Sequence, residues 1–196
     1  MRCDRFLSPM KITARPTSTA LLLLIVCIVQ HTAAMEGNQQ GGEQTGFGVE
    51  GAFQKPVAMP AGALLALRTS KPTHWLLQEC AEEEGILTAE IPASWFVASE
   101  IRLTTKRASG LVVRGEHECL AGAHITEFWV LEKLATGYRV VFQGRGDGLS
   151  VLPTRTHGYR DLELVIITQA GAVIDNVALH FSKRGYVVSG HRIEHN

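Results

Sequence analysis

The sequence predicts an α+β fold in which a short N-terminal helical pair packs on a curved antiparallel sheet of about eight strands. Two observations lead to this prediction. Between residues 60 and 85 apolar residues recur at helical spacing, whereas after Pro92 they alternate with polar residues at every second position. The alternating segments are short, evenly spaced and separated by glycine-containing turns, which is typical of antiparallel hairpins rather than of parallel strands joined by helices.

Residues 1–34 have the order of a secretory signal peptide. A basic lead is followed by the apolar run at residues 20–29 and then by Thr32-Ala33-Ala34, which places small residues before a cleavage site. The run is about half the roughly 20 residues that a membrane-spanning helix needs. We therefore expect cleavage after Ala34 and no stable membrane insertion afterwards, with an uncleaved anchor as the alternative.

Removal of this segment changes the charge of the chain. The 196 residues contain 19 basic and 19 acidic side chains, but residues 1–34 carry four basic residues and one acidic residue. The remainder therefore holds 15 basic and 18 acidic residues and has a net charge of −3. Nucleic acids and anionic lipids both select for dense Lys/Arg patches, so we expect neither of them as a partner.

Residues 35–56 are rich in Gly, Gln and Glu and show no periodic apolar pattern. We interpret them as a flexible lead, in which Phe47, Val49 and Phe53 are the only groups suited to docking on the fold. A single α+β domain is then expected over residues 57–190, with residues 191–196 as a tail.

The helical pair is expected directly after this lead. Pro60 marks the first turn of a short helix that runs to Arg68. Thr73 is a suitable N-cap for a second helix, whose apolar residues fall on one face. Gly85 is placed to end it.

Two of the four cysteines remain after the signal peptide is removed. Cys3 and Cys27 leave with it, and Cys80 and Cys119 stay. Two cysteines in an exported chain most often pair, so we predict a Cys80–Cys119 disulfide that ties the helical part to the β-rich part. Two buried free thiols are the alternative.

A second interpretation of this region is a metal site. His117, Cys119 and His124 are ligand types at spacings that suit zinc or copper, which gives a metal carrier as a third hypothesis for function. A strong zinc signal would be two close Cys/His pairs, and here there is one mixed cluster. We therefore expect no metal and no cofactor.

The eight predicted strands follow in order. They are centred on residues 97–104, 111–114, 125–133, 138–143, 149–152, 161–166, 173–181 and 186–188. Between the fourth and fifth, residues 144–148 read Gly-Arg-Gly-Asp-Gly. Three glycines in five residues predict a loop there.

The densest polar cluster lies between the fifth and sixth strands. Arg155, His157, Tyr159, Arg160 and Asp161 are the candidate binding residues, since two arginines suit a carboxylate or phosphate and His157 suits proton transfer. The structural alternative is a turn in which Gly158 takes positive φ and Asp161 accepts a local hydrogen bond. No serine or cysteine has a defined base and orienting group, so no catalytic residue is assigned.

Five segments resemble small exported bacterial β-rich proteins of unknown function. They are Phe128-Trp129-Val130, Gly137-Tyr138, Val151-Leu152-Pro153-Thr154-Arg155-Thr156, Gly158-Tyr159-Arg160-Asp161-Leu162, and Phe181 with Gly185-Tyr186. The resemblance implies export and a β-rich fold, and it implies no activity.

These observations favour an exported, non-catalytic domain, periplasmic or extracellular, that binds another protein or a cell-envelope component. The alternative is a small hydrolase or carbohydrate-active enzyme that uses the residue 155–161 corner, with His157 acting beside Asp161 or Glu163. The two differ in whether that corner performs chemistry or only holds the fold.

Overall fold

Two antiparallel sheets of five strands each and two helices form three layers in the computed structural model. The structure describes residues 43–106 and 109–195, which fall within one compact unit, Glu43–Asn196. The predicted signal peptide at residues 1–34 and the first eight residues of the predicted lead lie outside the described residues. The prediction of an α+β, largely antiparallel fold is confirmed in these layers, whereas the single sheet is replaced by two.

The helical layer consists of α1, Ala61–Thr69, and α2, Lys71–Glu83, joined through Ser70. Pro60 precedes α1, and Gly85, with φ of 68°, ends the turn after α2, as the sequence predicts, whereas the N-cap of α2 is Ser70 and not the predicted Thr73. Neither helix, nor any other within residues 43–106 and 109–195, is long and apolar enough to cross a membrane.

The middle sheet packs against these helices. Its order is β2-β3-β4-β5-β6, and every neighbouring pair is antiparallel. Its strands are β2, Pro56–Val57; β3, Phe96–Ile101; β4, Gly110–Gly115; β5, Thr126–Leu134; and β6, Gly137–Gly146.

The outer sheet covers the opposite face of the middle sheet. Its order is β1-β7-β8-β9-β10, again antiparallel throughout. Its strands are β1, Gly46–Gly48; β7, Gly148–Thr156; β8, Tyr159–Thr168; β9, Val173–Ser182; and β10, Gly185–His195.

The middle sheet is buried on both faces. On β5, Phe128 and Val130 face the outer sheet, whereas Trp129 and Leu131 face the helices. All four side chains are fully buried. This explains why β5 reads as a continuous apolar run, since a strand covered on both sides has no need of alternating polar residues.

The chain passes from one sheet to the other at Asp147, the single residue between β6 and β7. The loop predicted for residues 144–148 is therefore wrong. A Cβ on Gly144 would stand 2.6 Å from the Phe142 ring, and one on Gly146 would stand 2.6 Å from the Val165 carbonyl oxygen. These glycines serve the close approach of two sheets rather than a turn.

Ten strands replace the expected eight because two lie in the segment interpreted as a flexible lead. The predicted strands correspond to β3 through β10, and β1 and β2 are additional. Phe47 is 2% exposed and Phe53 is 5% exposed, so residues 43–56 are part of the fold and not a lead. The predicted tail also differs, because residues 191–195 are paired with β9.

The Cys80–Cys119 disulfide is confirmed. It joins α2 to the segment between β4 and β5, with the two Cα atoms 5.8 Å apart. Cys80 belongs to the apolar cluster between the helices and the middle sheet, and Cys119 packs against that cluster. Such bonds are typical of proteins that work in oxidising compartments.

We predict that replacing both Cys80 and Cys119 by Ala lowers the free energy of unfolding by about 3–4 kcal/mol, because the bond closes a loop of 39 residues in the unfolded chain. Urea unfolding of the oxidised protein and the double variant measures the difference. A loss below about 1 kcal/mol would show that the bond adds little to the docking of the helices.

Candidate functional site

The predicted corner at residues 155–161 is a two-residue turn between β7 and β8. His157 and Gly158 occupy the turn with φ of 53° and 83°, so the positive φ expected for Gly158 is present. The His157 ring nitrogen Nδ1 lies 3.0 Å from the Phe181 carbonyl oxygen, and Arg155 reaches the carbonyls of Leu103 and Gly158 at 3.3 and 3.4 Å. Arg155 and His157 are the exposed members of the cluster.

Arg160 points into the protein and is only 7% exposed. Its Nε and Nη2 donate to the carbonyl oxygens of Leu152 and Val151, both at 2.6 Å, and its Nη1 donates to Glu43 Oε2 at 3.1 Å. Its backbone N–H donates to the Leu103 carbonyl at 2.7 Å. These partners are structural, and they leave the guanidinium no face that is free to grip a ligand.

Asp161 is also buried, and its Oδ1 receives no hydrogen bond from the described residues. Beside it, the Tyr186 hydroxyl donates to the Arg160 carbonyl at 2.6 Å. Burial raises the pKa of Tyr186 far above its ordinary value, and the charge of Asp161 raises it further. Both groups therefore belong to the interior of the corner.

Tyr159 completes the corner and links it to the middle sheet. Its ring stacks on Phe181 with centroids 3.6 Å apart, and its hydroxyl donates to Glu132 Oε1 at 2.5 Å. That hydrogen bond is the main reason why the pKa of Tyr159 is raised, with burial second. The ligand-binding role proposed for the five corner residues stays a prediction.

Of the three residues considered as metal ligands, His117 and Cys119 contact each other, with His117 Nδ1 3.4 Å from Cys119 Sγ, whereas His124 has a different partner. Cys119 is in the disulfide. His117 stacks on Trp95 with centroids 3.8 Å apart, and its Nε2 lies 3.7 Å from Glu84 Oε1. His124 Nδ1 lies 3.0 Å from Glu50 Oε1. Within residues 43–106 and 109–195, no three His, Cys, Asp or Glu side chains form a group that could hold a metal ion.

An open groove of about 800 Å³ lies where the chain crosses between the two sheets. The lining comes from four places in the sequence: the end of β1 with the segment after it, His124 before β5, the β6–β7 crossing, and the end of β8 with the turn after it. The lining residues are Gly48, Val49, Glu50, Gly51, His124, Asp147, Ile167, Thr168, Ala170 and Gly171.

One wall of the groove, residues 48–51, is held from beneath by Arg114. This arginine is 8% exposed and donates through Nη1 to the carbonyl oxygens of Gly48, Val49 and Gly51, at 3.0 Å for Val49 and 2.7 Å for Gly51. Its guanidinium also lies 5.1 Å from the Phe53 ring centroid. Three carbonyls bound by one buried cation fix this wall before any ligand arrives.

The opposite wall is fixed by Asp147. Its Oδ2 accepts a hydrogen bond of 2.7 Å from the Ile167 N–H, and its own N–H donates to the Val165 carbonyl at 2.8 Å. The wall ends at Ala170, which has φ of 54°. A non-glycine residue held in this left-handed region is strained, a condition that is found more often at binding sites than elsewhere.

The chemistry of the groove is mixed. Glu50 and Asp147 supply two carboxylates against one imidazole from His124, and Val49 and Ile167 supply apolar surface. Ile167 is 42% exposed, which is high for a large aliphatic side chain. The groove therefore suits a ligand that combines a positive charge with an apolar body.

Sequence reasoning missed this groove because it placed residues 48–51 in a lead and Asp147 in a plain turn. The signal that pointed to it was the trio Phe47, Val49 and Phe53, the only groups of the predicted lead suited to docking on the fold. Phe47 and Phe53 contact each other with centroids 5.0 Å apart and anchor both ends of the groove wall.

Glu127 is a buried carboxyl on β5, opposite Arg145 on β6. It is 6% exposed, and Gln143 donates to its Oε2 at 3.5 Å. Burial raises its pKa above 4.5, while Gln143 and Arg145 lower it to a smaller extent. The protein therefore favours the neutral form of this carboxyl more than water does.

The chain was compared with protein-family models, curated proteins and solved structures, and none of them matched. Function therefore has to be argued from the side chains themselves. The groove at Asp147 is the place where fixed walls, charge and exposed apolar surface meet.

We predict that Arg160→Met lowers the free energy of unfolding by about 2–4 kcal/mol, because it leaves the Val151 and Leu152 carbonyls and the Glu43 carboxylate without their donor. Arg155→Met, at an exposed arginine of the same turn, is the matched control and should stay within about 0.5 kcal/mol of the wild type. Equal losses in the two variants, measured by urea unfolding, would contradict the structural role of Arg160.

Glu127→Gln is predicted to stabilise the protein at pH 8 and to have little effect at pH 4. Because the folded-state pKa is raised, the wild type loses stability as the pH rises from 4.5 through the raised value, and Gln cannot ionise. Unfolding midpoints across this pH range measure the effect, with the exposed Glu118→Gln as control. If the difference in unfolding midpoint between Glu127→Gln and the wild type grew toward low pH, the raised pKa assigned to Glu127 would be contradicted.

Proposed function

We propose that this protein is an exported, non-catalytic binding module whose groove takes a basic side chain, together with its apolar stem, from a partner protein or a cell-envelope component. The observation that supports the proposal most is the pair of carboxylates, Glu50 and Asp147, beside exposed Ile167 in a groove with fixed walls. Export is supported by the disulfide and by the order of residues 1–34.

The rigid walls of the groove favour a binding role over a catalytic one, because many enzymes close over their substrates by moving a loop or domain. Arg114 holds residues 48–51, and Asp147 holds the N–H of Ile167, so the groove loses little conformational entropy when it is filled. The His124 side chain is 78% exposed and contacts an equally exposed Glu50, so both side chains are free to rearrange around an incoming cation.

The hydrolase alternative has weaker support. It depends on His157 acting with Asp161 or Glu163, but Asp161 is buried and the His157 Nδ1 lies against the Phe181 carbonyl. A general base must reach the proton of a bound substrate, and here the carboxylate of Asp161 is turned into the protein, away from the exposed His157. We therefore place the function at the groove.

The proposal predicts that a basic apolar peptide binds the groove and that its uncharged analogue does not. Acetyl-Leu-Lys-amide and acetyl-Leu-Gln-amide are titrated into ¹⁵N-labelled protein, with chemical shifts as the readout. The Lys peptide should move the amide signals of Val49, Gly51, Ile167 and Gly171, and the Gln peptide should bind at least about fivefold more weakly.

Matched variants show whether the peptide is bound by the two carboxylate charges or only by the shape of the groove. The double variant Glu50→Gln, Asp147→Asn keeps an oxygen that accepts from the Ile167 N–H but removes both charges, so it should bind the Lys peptide about fivefold more weakly. Glu83→Gln, an exposed carboxylate at the end of α2, should have no effect. Equal binding of both peptides, or unchanged groove signals, would contradict the proposal.

A further inference from the structure

The outermost strand of the outer sheet, β10, is paired along one edge only. It is 11 residues long and pairs with β9, and no other strand among residues 43–106 and 109–195 pairs with its free edge. Three of its apolar side chains are exposed: Val187 at 52%, Val188 at 55% and Ile193 at 59%. A long free edge with exposed apolar residues is a template for another strand.

The register of β10 on β9 shows which side chains share a face. Val188 lies opposite Leu179, His191 opposite Val177 and Ile193 opposite Asp175. Leu179 and Val177 are buried between the two sheets, so Val188, His191 and Ile193 all lie on the core-facing side. A bulge between Val188 and Gly190 adds one residue, which keeps Val188 and His191 on the same face although they are three apart.

Because of this bulge, the two exposed apolar residues Val188 and Ile193 are placed symmetrically about His191. Val188 and Ile193 are each two ladder positions from His191, in opposite directions. In antiparallel pairing about a two-fold axis at His191, Val188 of each copy would therefore stand opposite Ile193 of the other. Both exposed apolar residues of this face would be covered at once, and a shift of one position would uncover both.

We propose that β10 pairs, antiparallel and about a two-fold axis at His191, with β10 of a second copy of this chain. The other face of the strand fits this register. Gly190 would lie opposite Arg192 of the second copy, and a Cβ on Gly190 would meet nothing within 4 Å. Arg192 keeps its own partners, Glu194 at 2.9 Å and Glu163 at 3.5 Å. The pairing joins two outer sheets into one of ten strands.

The expected dimer is weak and reversible. One strand edge with two pairs of aliphatic side chains buries less than the roughly 1,600 Å² of a standard protein interface. None of the residues that line the groove at Asp147 belongs to β10, so the inference is independent of the proposed function.

Cysteine cross-linking of the purified protein at pH 8 tests the register. His191→Cys should form a disulfide-linked dimer, because directly opposite residues in antiparallel strands have Cα atoms about 4.5–5.5 Å apart. Glu194→Cys should not, because the two copies of that residue would be six ladder positions, about 20 Å, apart. A mixture of Val188→Cys and Ile193→Cys should form the heterodimer faster than either variant forms a homodimer.

Analytical ultracentrifugation of oxidised, folded protein tests the surface itself. Val188→Lys and Ile193→Lys should each raise the dimer dissociation constant at least about tenfold, whereas Val187→Lys, on the other face and opposite Glu194 of the second copy, should leave it unchanged or lower it. The proposal is overturned if the wild type is monomeric up to about 1 mM, if the three lysine variants behave alike, or if Glu194→Cys cross-links as well as His191→Cys.

Discussion

The guanidinium of Arg160 is the interaction on which the arrangement of the layers depends most. It joins Glu43, the first described residue, to the Val151 and Leu152 carbonyls of β7, while its backbone N–H binds Leu103. The side chain thus satisfies polar groups from two parts of the chain, and the backbone N–H of the same residue binds a third. A buried cation with several specific acceptors tolerates few alternative arrangements, and so it fixes how these segments meet.

Much of the fold could be predicted from the sequence, because periodicity reports which faces are covered. The helices and the strands β3 through β10 follow from it. The strands β1 and β2 contain three and two residues, too few for any period to show. The division into two sheets depends on Gly144 and Gly146, which look like turn residues until their neighbours across the interface are known.

The site was harder to predict than the fold, for a physical reason. A sequence shows that Arg155 through Asp161 is polar, but it does not show whether a charged group faces water or backbone carbonyls. Arg160 and Asp161 face inward, whereas Arg155 and His157 face outward. The groove joins residues near 50, 124, 147 and 168, and no local pattern records that these segments are neighbours.

The pairing of β1 with β7 has a consequence for how the chain folds. The Glu43–Arg160 pair spans 117 residues, so the sandwich cannot close until nearly all of the chain is available. Such non-local contacts slow folding, because a large loop must be ordered before its contacts form. The segment that forms one groove wall is therefore expected to dock late, so the groove would be complete only in the fully assembled molecule. Under the proposed export, the groove would therefore form after the chain has crossed the membrane.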